Sequence, residues 1–296
     1  MSAAPLTYTY KRAGGCDIKA DVYLPAAGGP RPALLWIHGG ALIMGGRRDV
    51  RGHQQERYLA AGYTVVSADY RLAPETKLPE IIDDIRDAFH WVRESGPSLF
   101  NADARRIGVV GHSAGGYLTL MSGFCTDPRP QALVSFYGYG DLVGPWYSEP
   151  SPFYCRQPAV SEAEARSAVG ASPLSEGGGE NRGRFYLYCR QRGLWPKEVS
   201  GRDPSADPGF FRAYCPDQNV DSVYPPTLLL HGDQDTDVPY ELSVAMARAL
   251  ASAGVEHELI TIPDGGHGFD WAQDEAASQA FERVLAFLGA YLRPSS

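Results

Sequence analysis

The chain has 296 residues, 44% of them hydrophobic, enough for one large α/β domain or two small ones around a sizeable core. Its formal net charge of −8 argues against nucleic acid or an anionic membrane surface as partner. No stretch approaches a membrane span, and the start "MSAAPLTYTYKRAGG" has no apolar core of signal-peptide length, so a cytoplasmic location is expected.

In chain order, "LTYTYKR" and "DIKADVYL" alternate in polarity and are split by Gly14-Gly15, which predicts an antiparallel hairpin. Then come "ALLWI", "TVVSA", "RIGVV", "ALVSFY", "TLLL" and "ELITI". These runs are short, rich in branched side chains and hardly alternate, as strands do when a parallel sheet buries both their faces. Helical stretches separate most of them. "HQQERYLAAG" ends at Gly62, a C-cap. "PEIIDDIRDAFHWVRESG" puts Ile81, Ile82, Ile85, Phe89 and Val92 on one face and is expected to stop at Gly96. "GGYLTLMSGF", "VPYELSVAMARALASAG" and "DEAASQAFERVLAFLGAYL" complete the series. Strand and helix in alternation predict a mostly parallel sheet with helices on both faces.

One stretch breaks the rhythm. From Asp141 to Tyr224 no clear strand appears, although "SEAEARSAV" and "RGRFYLYCRQRGLW" read as helices. Aromatic residues crowd this region, and a structureless loop of that length is improbable in a compact domain. The expectation is a core of residues 1–140 and 225–296, with 141–224 inserted as a lid over the sheet's edge. Within it "SEGGGENRG", Ser175 to Gly183, reads as a flexible linker. Five cysteines form no C-x-x-C pair, which speaks against zinc or redox motifs. A disulfide among Cys155, Cys189 and Cys215 is expected only if the protein is exported.

The stretch "GHSAGG" carries the chemistry. Gly111, Ser113 and Gly115 fit G-x-S-x-G after the strand "RIGVV" and before a helix, the setting of a nucleophile elbow. Serine needs a base. His267, in "PDGGHGFDW" after the last strand, would reach the same sheet edge. His257 precedes that strand and belongs at the opposite edge. His53 and His90 lie on helices as solvated or packing residues, His112 points elsewhere in the tight turn, and His231 is structural. The imidazole needs a carboxylate, and "HGDQDTDVP" supplies Asp233, Asp235 and Asp237.

Together "WIHGGALIMG", "VVSADYRLAPE", "RIGVVGHSAGG", "LLLHGDQDTDVP" and "GGHGF" resemble α/β hydrolases of the esterase/lipase type. The nearest groups are the hormone-sensitive-lipase-like and feruloyl-esterase-like carboxylesterases. The resemblance covers the sheet and not the insertion. It implies the α/β-hydrolase fold and a Ser-Asp-His chain order. It also implies an oxyanion hole from the amides of Gly40, Ala41 and Ala114, with Ala41 where the H-G-G-G loop has its third glycine. The related pattern H-G-x-x-D-x-x-V-P sets the acid four residues after its histidine, at Asp235. Asp233 is then expected to bond its own turn and Asp237 to cap the next helix. Arg71 and Glu75 of "DYRLAPE" would tie the oxyanion loop to the body.

The expected function is a serine hydrolase that cleaves a small to medium carboxylic ester through an acyl-enzyme. An amide hydrolase of peptidase or formamidase type is the alternative, and a non-catalytic ligand-binding protein on the same fold is a further one. Trp146, Tyr147 and Trp195 of the insertion are expected to line the substrate pocket. No metal site is expected, since no H-E-x-x-H spacing occurs. No cofactor is expected either, since "GGALIMGG" is neither a phosphate loop nor a dinucleotide fingerprint. The expected partner is a small-molecule ester; a homodimer is compatible with this reading.

Overall fold

The computed structural model describes residues 4–26, 28–177 and 180–292. Strands β1 (Leu6–Ala13) and β2 (Cys16–Tyr23) pair antiparallel across Gly14 and Gly15, whose φ angles of 58° and 76° make the tight turn glycine's territory. They are followed by β3 (Arg31–Ile37), β4 (Thr64–Ala68), β5 (Ala102–His112), β6 (Ala132–Phe136), β7 (Thr227–Gly232) and β8 (His257–Ile262). All eight form one sheet in the order β1-β2-β4-β3-β5-β6-β7-β8. β2 meets β4 antiparallel, and every later neighbouring pair is parallel.

Alternation within each strand divides the core in two. In β3, Ala33, Leu35 and Ile37 face one side, and Leu34 and Trp36 the other. The first side is covered by α2 (Leu78–Glu94), α4 (Ala114–Cys125) and α10 (Tyr240–Ser252) through residues such as Ile85, Leu118 and Met246. The second is covered by α1 (Gly52–Ala60) and α11 (Glu275–Leu292) through Tyr58, Phe281, Val284 and Leu288. Burying each of these large side chains is worth roughly 1.5–3 kcal/mol. Both faces being apolar is why the strand runs show so little alternation.

The expected stop at Gly96 is instead a restart. The Ser95 amide closes α2 on Trp91 and Val92, and Gly96 then opens a short helix, α3 (Gly96–Phe100), helped by Pro97 in its first turn. No described helix is long and apolar enough to cross a membrane.

Between β6 and β7 the described residues form no strand. They hold α5 (Pro145–Ser148), α6 (Glu162–Ser167), α7 (Glu180–Arg192), α8 (Trp195–Ser200) and α9 (Pro208–Arg212). The stretch expected as a flexible linker is in large part tied down. Gly177 exchanges backbone hydrogen bonds of 2.7 and 3.1 Å with Gly45. The buried Arg182 donates to Ile43 O, Ala73 O and both carboxylate oxygens of Glu75. Residues 178 and 179 of that stretch lie outside the described residues. Polar composition suggested mobility there, yet an arginine with four acceptors is held in place. All five cysteines are free, so the disulfide among Cys155, Cys189 and Cys215 does not form.

Candidate active site

The end of β5 turns into α4 at one residue. Ser113 has φ 57° and ψ −120°, a strained conformation costing on the order of 1–3 kcal/mol. Its amide bonds Phe136 O at 2.9 Å, and its carbonyl accepts from Tyr117 N at 3.0 Å. Only glycine fits on either side of this turn. A Cβ on Gly111 would lie 2.1 Å from Gly115 O, and one on Gly115 would lie 2.1 Å from Ile37 O. The elbow therefore packs directly against the end of β3, where a glycine-rich loop begins.

His267 and Asp235 come to Ser113 from the loops after β8 and β7. His267 Nε2 stands 3.1 Å from Ser113 Oγ, and its Nδ1 stands 2.7 Å from Asp235 Oδ2. A carboxylate at Nδ1 fixes the proton there and leaves Nε2 free to accept the serine hydrogen. Asp235 has further work. Its Oδ1 accepts from the amides of Asp237 at 2.8 Å and Val238 at 2.9 Å. Its Oδ2 faces His231 Nε2 at 3.2 Å. His231 Nε2 also faces the Val238 carbonyl at 3.0 Å, so that nitrogen carries the proton, and Nδ1 accepts from Ser243 Oγ at 2.7 Å. Burial alone would raise the Asp235 carboxyl; the hydrogen bonds from His231 and His267 outweigh it and hold the group well below its ordinary value. For His267, burial disfavours the imidazolium. The hydrogen bond to Asp235 and the charges of Asp237, Asp235 and Asp270 outweigh that and raise its proton affinity.

The other two carboxylates of this turn do not have the expected partners. Asp233 Oδ1 reaches across to the Asp264 amide at 2.8 Å and so fastens the loop that carries His267. Asp237 caps no helix: its Oδ1 lies 2.5 Å from Arg190 Nη1 and accepts from Tyr186 OH at 2.6 Å. Both partners belong to α7, far away in sequence.

The loop after β3 runs through left-handed conformations, with φ of 98° at Gly40, 56° at Ala41 and 61° at Leu42. Two non-glycine residues in that region carry strain. The strain is held by Ile43 N and Met44 N on Gly40 O, by Ala73 N on Leu42 O, and by Trp195 Nε1, which donates to Ala41 O at 2.9 Å. A Cβ on Gly39 would lie 3.3 Å from Ser113 Cβ, so this loop passes directly over the serine. Ala114 opens α4, and the first amides of a helix have no helical acceptor. Glu75 reaches the loop through Arg182, whereas Arg71 pairs with Asp84 of α2 at 2.8 Å.

A cavity of about 1020 Å³ opens at Ser113. Gly40, Ala41, Tyr137, Tyr186, His267 and Trp271 are on its wall. Trp146, Tyr147 and Trp195 are not. They stack on one another instead, with ring centroids 3.6 Å apart for Trp146–Tyr147 and 4.0 Å for Tyr147–Trp195. Three rings that cover each other need no ligand, and Trp195 bonds the loop after β3 through Ala41 O. His53, expected to be solvated or packing, and His112, expected to point elsewhere, also border the cavity. So does Arg51, whose partner Asp270 lies three residues after His267. That spacing in "GGHGFDW" was the available signal for Asp270; Tyr186 had none.

A family model described as the alpha/beta hydrolase fold matches residues 34–270. A non-reducing polyketide synthase, adrD, of Penicillium rubens is 30% identical over 344 aligned residues, which cover 97% of this chain and 14% of that protein. The chain thus spans about 14% of the length of this curated relative. A protein of unknown function from Staphylococcus aureus superposes with a TM-score of 0.80 at 22% identity, covering 97% of this chain and all of that one. An esterase from Thermogutta terrifontis with propionate bound superposes with a TM-score of 0.72 at 21% identity, covering 99% and 97%. The same esterase has also been seen phosphonylated by sarin. At such identities the superpositions establish the fold.

Proposed function

Since the chain belongs to the α/β-hydrolase fold family, we propose that it is a serine hydrolase cleaving a small to medium carboxylic ester through an acyl-enzyme. One observation carries the reading: Ser113 Oγ, His267 and Asp235 stand in series at 3.1 and 2.7 Å beside an open cavity. In this mechanism Ser113 attacks the ester carbonyl while His267 Nε2 takes its proton. Asp235 keeps the imidazole in the right tautomer and stabilises the imidazolium. The amides of Gly40, Ala41 and Ala114 receive the developing oxyanion, helped by the positive end of α4. His267 then returns the proton to the leaving alcohol, and a water activated by the same nitrogen releases the acid. Residues 141–224 act as a lid on the core of 1–140 and 225–296. Tyr186 on the cavity wall and Trp195 behind the oxyanion loop support that role.

A second reading concerns the acyl group. The relative in Penicillium rubens is a polyketide synthase, and about 1020 Å³ is at the upper end of small-molecule sites. A polyketide-type acyl ester would fill that volume better than acetate. Both readings are tested by purified protein on nitrophenyl esters graded from acetyl to long acyl chains, with bulky aryl-acyl esters alongside. Turnover concentrated on short to medium chains supports the first, and a preference for bulky acyl groups the second. No ester turnover at all would remove both.

A further inference from the structure

The carboxylate of Asp237 is the feature the mechanism above leaves unused. Its Oδ2 stands 3.7 Å from His267 Nε2, the nitrogen that faces Ser113. It borders the cavity, and its backbone amide is one of the two that Asp235 Oδ1 holds. We propose that Asp237 is a second carboxylate acting on His267, a positioning residue that Arg190 of the insertion holds off the imidazole. The proposal rests on His267 being the general base.

Nε2 can serve one partner at a time. While His267 is neutral, Nε2 and Asp237 Oδ2 are both acceptors and gain nothing by closing. Once the proton arrives, a carboxylate about 1 Å nearer would form a charge-assisted hydrogen bond with it. That pair would withhold the proton from the leaving alcohol and the base from Ser113. At 3.7 Å the carboxylate stabilises the imidazolium without bonding it. The distance is set from the other side. Arg190 Nη1 engages Asp237 Oδ1 at 2.5 Å and the Asp237 carbonyl at 3.2 Å, and Nη2 reaches the same carbonyl at 3.1 Å. Tyr186 OH adds a fourth bond, to Oδ1 at 2.6 Å. Arg190 is itself buried, with its guanidinium carbon 4.8 Å from the rings of Tyr147 and Tyr154 and 5.6 Å from that of Trp146. A caged, forked cation leaves Asp237 little freedom and offsets part of its charge. The insertion thereby sets how strongly the base holds its proton.

Other groups also face this imidazole. Asp235 lies on Nδ1, with His231 behind it. The ring of Tyr137 meets His267 edge-on at 4.7 Å, and its hydroxyl donates to Asp270. Asp270 is paired with Arg51 and has His112 beside it. Tyr186 and Tyr154 face Asp237 itself. Among the described residues, Asp237 is the one carboxylate close to Nε2 rather than Nδ1, so its effect is separable.

The test is an NMR titration of the His267 imidazole, paired with the pH profile of kcat/KM, in Asp237→Asn, Arg190→Met and the double variant. Asp237→Asn should lower the midpoint by about one unit. Arg190→Met should raise it and reduce kcat/KM at neutral pH. The double variant should titrate like Asp237→Asn alone, because the arginine acts only through the carboxylate. If Arg190→Met does not fold, Arg190→Lys keeps the charge, loses the fork and must still raise the midpoint. An unmoved midpoint in Asp237→Asn, or an upward shift that survives in the double variant, overturns the proposal. The titration needs no turnover, so expected midpoints in a protein inert to every ester would sink the hydrolase reading and leave this coupling standing.

Discussion

Two aspartate–histidine pairs flank Ser113, and they are built to opposite ends. Asp235 holds His267 at 2.7 Å, and the far nitrogen of that ring faces the serine. Asp270 stands 3.4 Å from His112 Nε2, and neither His112 nitrogen makes a hydrogen bond among the described residues. Burial lowers the proton affinity of His112, with Asp270 opposing it only in part, while His267 is raised. The difference lies in what else each carboxylate does. Asp270 spends its charge on Arg51, with Gln54 Nε2 and Tyr137 OH bonded at 2.6 and 2.8 Å. Asp235 has no arginine or lysine partner among the described residues, so its field falls on histidines. At His112 burial outweighs a carboxylate that Arg51 also engages, whereas at His267 the carboxylates outweigh burial.

The comparison can be broken by mutation. The largest effect is expected for Ser113→Ala, which should lower turnover by several orders of magnitude while leaving the melting curve close to that of the parent. Asp235→Asn should follow, with turnover down by about 10⁴ from loss of the tautomer of His267. Asp270→Asn should do the reverse. It leaves Arg51 without its buried partner, so urea unfolding should show a loss on the order of 3 kcal/mol while turnover falls less than about tenfold. Equal losses of turnover in the two asparagine variants would erase the distinction between the pairs.

Smaller effects sharpen it. With His267 as the proposed general base, which must be neutral to act, activity should be present above its pKa and lost as pH falls through it. That value is raised, so the acid limb of kcat/KM should sit above the ordinary imidazole value of about 6.5. A limb well below 6.5 would contradict the assignment. Trp195→Phe removes one hydrogen bond, worth about 1 kcal/mol, from the strained loop proposed to hold the oxyanion, and should lower kcat less than about tenfold with KM little changed. Least of all, His112→Phe puts one flat ring for another against Phe136, 4.3 Å away and nearly parallel. Thermal unfolding should register less than about 1.5 kcal/mol and the pH profile should not move.

Local patterns were legible and remote ones were not. The sheet could be read because its parallel strands are short apolar runs and its first two alternate around a glycine turn, and the turn at Ser113 because glycine spacing and the preceding strand are neighbours in sequence. The roles of Asp233 and Asp237 could not, since their partners, Asp264 and Arg190, lie on other segments. Each carboxylate had a respectable local duty, and tertiary pairing overrode it. The segment between β6 and β7 was illegible for the same reason. Arg182 with Glu75, Arg190 with Asp237 and Trp195 with Ala41 each join residues at least 47 positions apart, so neither periodicity nor composition announces them. A buried aromatic cluster and an aromatic pocket wall also share one composition. Only the stacking of Trp146, Tyr147 and Trp195 distinguishes them.

The proposed hydrolysis stands or falls on Ser113 being an activated nucleophile. Its most direct test is mass spectrometry of the protein after treatment with a fluorophosphonate probe, which reacts only with a serine whose proton has somewhere to go. One adduct is expected, on the peptide containing "GHSAGG", formed rapidly by the parent, slowly by Asp235→Asn and not by Ser113→Ala. An adduct on another residue, or equal labelling of the parent and Ser113→Ala, would contradict it.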